Sequence, residues 1–92
     1  MAIAPPEKGM VGEKIKISYV LNRPIEVHRF EIKPSKQDAS GECLYLQIVL
    51  NGEKRVLFTG SKYLIQTIRQ VPKKNFPFTT TIISDNERYL FT

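Results

Sequence analysis

Ninety-two residues leave room for one domain and one small core, and a 41% hydrophobic fraction beside 25% charge excludes a largely disordered chain. Fourteen Lys and Arg against nine Asp and Glu give a net charge of +5, which favours a polyanionic partner through phosphate contacts and counterion release. The single cysteine, Cys43, excludes an intramolecular disulfide, and no apolar run approaches the length that crosses a membrane.

Residues 1–13 hold two prolines and two glycines and read as a flexible N-terminal arm, with a single domain over residues 14–92. The opening Met1-Ala2-Ile3-Ala4-Pro5-Pro6 lacks the charged and apolar regions of a secretory signal, so a cytoplasmic protein is expected. Lys14–Arg23 carries two signals. Lys14-Ile15-Lys16-Ile17-Ser18 alternates as a strand does, whereas Ile17, Val20 and Leu21 suit a helical turn. Asn22-Arg23-Pro24 ends either one.

Ile25–Lys33 is the first clear strand, and its apolar residues change phase. Ile25 and Val27 point one way, Phe30 and Ile32 the other. One inserted residue near His28-Arg29, a β-bulge, brings all four to a single face; burial of the strand on both faces explains the slip equally well. Pro34 to Glu42 is a polar loop of turn-forming residues. Cys43–Leu50 and Lys54–Thr59 form a hairpin about Asn51-Gly52. A three-residue loop, Asn51-Gly52-Glu53, groups Leu44, Leu46 and Ile48 with Val56 and Phe58, whereas a strict two-residue turn groups them with Arg55. The longer loop segregates the core and is the expectation; it leaves Tyr45, Gln47, Val49, Arg55, Leu57 and Thr59 on the opposite face.

Ser61 is a good N-cap for a helix over Ser61–Val71, with Leu64, Ile65 and Ile68 as its apolar stripe and Pro72 as its stop. Lys73-Lys74-Asn75 is a basic loop. Phe78–Ser84 and Arg88–Phe91, joined through Asp85-Asn86, are the last two strands. Three strands, a helix and two strands in this order predict a mainly β protein. The specific expectation is a five-stranded OB-like barrel with one short helix between strands three and four.

No enzyme chemistry is legible. His28 has no second His and no Cys at metal-ligand spacing. Gly60-Ser61-Lys62 lacks the upstream glycine of a phosphate loop. Cys43, inside a strand, reads as a small buried hydrophobe. A binding surface is better supported, because single-strand binders join cations that track phosphates to aromatic rings on which bases stack. Tyr45, Gln47, Arg55 and Leu57 on the central hairpin supply a face, with Lys54 beside them. Arg29, Lys33, Lys36, Lys73, Lys74 and Arg88 are the cations expected to flank it. Phe30, Phe58, Phe78 and Phe91 are expected in the core.

Ile25-Glu26-Val27 through Ile32-Lys33-Pro34-Ser35-Lys36, Gly41 to Ile48, Val56 to Ser61, and Pro77-Phe78-Thr79-Thr80-Thr81-Ile82 to Thr92 together resemble small phage and prophage proteins of the single-stranded-DNA-binding type. The resemblance spans residues 14–92 in loose form. It implies an OB-fold, a part in DNA replication or recombination, and no cofactor. Bacterial cellular single-strand binders carry a long tail with an acidic tip, whereas this chain ends in Leu90-Phe91-Thr92, so partner binding and oligomerisation are expected to use the barrel. The expected function is non-sequence-specific single-stranded DNA binding without enzymatic activity, RNA being served by the same contacts. The alternative is a protein-interaction or assembly module, a phage structural component, that docks through Ile3, Met10 and Val11 or pairs through its last strand.

Overall fold

The computed structural model describes residues 10–34 and 41–92. In chain order come β1 (Glu13–Lys16), a 3₁₀ turn at Ile17–Tyr19, β2 (Pro24–Pro34), β3 (Glu42–Leu50), β4 (Glu53–Thr59), α1 (Lys62–Arg69), a second 3₁₀ turn at Lys73–Asn75, β5 (Phe78–Asp85) and β6 (Arg88–Phe91). The strands form one six-stranded sheet in the order β1-β4-β3-β2-β5-β6. β1 runs parallel to β4, and the other neighbours are antiparallel. β2, β3 and β4 follow one another as neighbours while β5 returns beside β2, which is a Greek-key arrangement.

The mainly β class and the helix between β4 and β5 agree with the sequence reading. The count of strands and the closure do not. The described residues form six strands rather than five, and their sheet is open, with β1 and β6 at its edges. The physical reason is that β1 occupies the second edge of β4, pairing from Glu13↔Arg55 to Lys16↔Phe58, where a closing strand would have to sit. Both signals in Lys14–Arg23 are real and consecutive: four residues of strand, then a helical turn.

The bulge in β2 stands where the phase slip put it. Pairing with β3 shifts between Val27 and Arg29, leaving His28 as the extra residue. Val27, Phe30 and Ile32 then face Ile48, Leu46 and Leu44 in turn.

The hairpin register is a correction. Leu50 pairs with Glu53 and Ile48 with Arg55, so the turn is the two residues Asn51-Gly52. Both have positive φ, 53° and 81°, the backbone that this pair favours in tight hairpins. Leu44, Leu46 and Ile48 therefore share a face with Arg55, Leu57 and Thr59, and Val56 and Phe58 turn to the other side. Segregation misled because Val56 and Leu57 are both buried, one on each face. The turn's dihedral preference, not the apolar count, sets the register.

The inner face, with α1 and Val20 laid on it, is the core. Ile25, Leu44, Leu46, Ile48, Leu57, Leu64, Ile68 and Ile82 are at most 1% exposed, each contributing about 1.5–3 kcal/mol by burial. Ser61 caps α1 by accepting the Leu64 N–H at 3.3 Å. The helix ends at Arg69 and not at Val71, since a residue before proline disfavours helical backbone. Phe30, Phe76, Phe78 and Phe91 form a chain of rings with successive centroids 6.0, 5.2 and 6.4 Å apart, packed against this core.

Part of the expected arm over residues 1–13 is held on the sheet. Residues 1–9, Ile3 among them, lie outside the described residues, but Val11 is held from both sides by one side chain. Gln47 Oε1 accepts the Val11 N–H at 2.6 Å, and Gln47 Nε2 donates to the Val11 carbonyl at 2.7 Å and to the Arg55 carbonyl at 3.1 Å. Gly12 follows at φ 105°, and a Cβ there would collide with the Lys54 carbonyl. Gln47→Ala and Gly12→Ala should each cost about 1–2 kcal/mol in urea unfolding. Both break the same attachment, so the double variant is expected to lose less than the sum. Full additivity would show that the amide and the glycine act separately.

Candidate nucleic-acid interface

The outer face is built in cross-strand rows, because residues paired across a sheet point the same way. One row reads Lys16, Phe58, Tyr45 and Glu31 across β1, β4, β3 and β2. The next reads Lys14, Val56, Gln47 and Arg29. Lys54 and Val49 follow on one side, and Cys43 with Lys33 on the other. Tyr45 and Phe58, directly opposed and both half-buried, make an aromatic centre.

Two ammonium groups from different strands approach the Tyr45 ring. Lys14 Nζ lies 5.9 Å and Lys33 Nζ 5.5 Å from its centroid, within cation–π range. Glu31 is engaged by Arg29 at 4.0 Å and Lys33 at 3.6 Å, and Glu26 by His28 at 3.1 Å. These pairs are largely solvated and add little stability. Lys14, Lys16 and Lys54 have no carboxylate partner among the described residues, so the face keeps a positive excess around its rings.

The expected site residues divide into groups. Arg29, Lys33, Tyr45 and Lys54 meet on this face. Gln47 shares it but is only 8% exposed, and its amide is committed to the backbone of Val11 and Arg55. Leu57 is fully buried in the core, so its place in a binding surface is corrected. Arg55 is likewise corrected: it faces the inner side, held by Glu53 at 3.5 Å and Glu13 at 4.0 Å. Both errors come from the one-residue difference in turn length, which inverts every side chain of β4. Lys73 and Lys74 are exposed on the turn leading into Phe76, which packs on the inner side against Phe30. Arg88 lies over the Tyr63 ring at 5.8 Å, beside α1. Lys36 lies outside the described residues.

Lys14, Lys16 and Phe58 were missed. The alternation Lys14-Ile15-Lys16 held the signal for the two lysines: Ile15 pairs with Leu57 toward the inner side, which turns both cations outward. Phe58, expected in the core, follows the corrected register. Among the described residues no three metal-ligating side chains cluster, and no helix is long and apolar enough to cross a membrane.

Fold and face together describe a class: a small open mixed sheet whose outer side carries an aromatic pair ringed by lysines. A family model, Domain of unknown function (DUF8468), matches residues 11–92, and the chain belongs to that family. The match starts at Val11, the residue that Gln47 pins to the sheet. No curated protein and no solved structure matches the chain.

Cys43 adds one electrostatic feature. It pushes the Tyr45 phenol above its ordinary value of 10.0, first through a hydrogen bond, then through Coulombic repulsion, with burial acting in the same direction. Cys43→Ala should therefore move the Tyr45 titration, followed by NMR of labelled tyrosine rings, back toward 10.0. A phenol raised on folding stabilises fully below its unfolded value of 10.0 and loses that contribution as pH climbs through the folded value. The wild-type protein is accordingly expected to lose stability above pH 10.0 more steeply than Cys43→Ala.

Proposed function

We propose that this protein binds single-stranded nucleic acid, DNA first, with little sequence preference, on the outer face of β1, β4, β3 and β2. The observation that carries this reading is Tyr45, flanked by Lys14 at 5.9 Å and Lys33 at 5.5 Å and opposed by Phe58. A base stacks on a π-face whatever its identity, and lysines on either side meet the phosphates of the same strand. The Greek key of β5, β2, β3 and β4, with a helix before β5, supports an OB-like arrangement, a fold tolerated as a partly open barrel. The likeness to small phage single-strand binders points the activity toward replication or recombination.

A second reading has its own observation. Among the described residues both edges of the sheet, β1 and β6, are unpaired, and open edges invite pairing with another chain. Assembly through an edge leaves the outer face free, so the two readings differ in what they bind.

The test is fluorescence anisotropy with a labelled oligothymidine at two salt concentrations. Binding should weaken as salt rises, and Tyr45→Ala should weaken it by roughly 5- to 150-fold, matching a stacking contribution of about 1–3 kcal/mol. Lys14→Ala with Lys33→Ala should lower the salt slope by about 1.4. Absence of binding at micromolar protein in low salt, with light scattering reporting a stable oligomer, would transfer the case to the assembly reading.

A further inference from the structure

A concave surface lies where β1 meets the hairpin turn of β3 and β4. It is an open groove of about 660 Å³, lined among others by Lys14, Lys16, Tyr19, Arg23, Arg55 and Phe58. Its size falls within the range of small-molecule and nucleotide sites. Lys14, Lys16 and Phe58 belong also to the outer face, so groove and face are continuous around the β1 edge.

Two features of this groove have no use in the core. Tyr19 is 64% exposed, the most exposed large hydrophobic side chain among the described residues, on a 3₁₀ turn with no buried residue. Arg23 and Lys16 are exposed cations without a carboxylate partner among the described residues. Arg55 differs from them: Glu53, which also lines the groove, and Glu13 hold its guanidinium and offset its charge. The unpaired positive charge thus sits with Arg23 and Lys16, beside an exposed ring, and with Lys14, which also flanks Tyr45 on the outer face.

We infer that a single strand bound on the outer face continues around the β1 edge into this groove. There Tyr19 stacks a further base, and Lys16 and Arg23 contact the phosphates on either side. The inference rests on the proposed face, and it assigns the strand a path and a second stacking station. The chemistry is the same as on the face, a π-surface beside cations, which suits an anionic chain with exposed bases.

The experiment compares two oligothymidines, one just long enough to saturate the face and one several nucleotides longer, binding to the full chain. Tyr19→Ala should reduce affinity for the longer strand about fivefold or more and leave the shorter unchanged. Tyr19→Phe, which keeps the ring, should bind both as wild type does. Lys16→Ala with Arg23→Ala should lower the salt slope for the longer strand by about 1.4. Tyr19 and Arg23 are exposed, so circular dichroism of their variants should match wild type. If Tyr45→Ala weakens binding while the groove variants do not, the face stands and the groove path is overturned. An equal loss at both lengths for Tyr19→Ala overturns it too, because the ring would then serve the face itself. If wild-type protein binds neither strand, face and groove fall together.

Discussion

The parallel pairing of β1 with β4 is the contact on which the rest depends. Four residues, Glu13–Lys16, take the outer edge of β4 and leave the sheet open. They also orient two lysines toward Tyr45 and Phe58 by turning Ile15 inward. So short a strand has little stability of its own. Its anchorage lies just upstream, where the Gln47 amide pairs with both backbone groups of Val11 and Gly12 passes close over the Lys54 carbonyl. A side chain on β3 thereby does what further ladder hydrogen bonds would do in a longer strand.

Gln47 also illustrates how chemistry on a face is divided. An amide among aromatics and cations resembles a base-reading group, yet here it satisfies main-chain groups that would otherwise stay unpaired beside the sheet. The surface left for a ligand is aromatic and cationic, with no free amide at its centre. That composition suits contact with a backbone and with ring faces more than with base edges.

Much of the framework was legible in the sequence, and the parts that were not share a cause. The phase change from Ile25 and Val27 to Phe30 and Ile32 was legible, and of its two explanations, a bulge or burial on both faces, the register shift at His28 selects the bulge. The helix could be read from Ser61, the Leu64-Ile65-Ile68 stripe and Pro72. The hairpin register could not be read from burial, because β3 and β4 bury side chains on both faces and either phase looks acceptable. The positive φ of Asn51 and Gly52 was the better guide. From that choice follows the candidate site: Tyr45 stayed where expected, Arg55 and Leu57 left it, and Phe58 entered it. Lys14 and Lys16 were legible only in part: their alternation with Ile15 marks a strand, but its partner lies some forty residues away and no local pattern records which face of the sheet they join.

That sequence separation bears on the order of folding. The β3–β4 hairpin closes over two residues, whereas Val11 reaches Gln47 across 36 positions. Loop-closure entropy favours the local contact first, so the meander and its helix form the platform onto which β1 zips. A short edge segment that docks late is also among the first to detach in native-state fluctuations. Detachment of β1 would withdraw Lys14 and Lys16 from the face and take one wall from the groove in a single event. Both candidate surfaces thus share one cooperative unit, and its opening free energy, not that of the whole domain, sets how often they are complete.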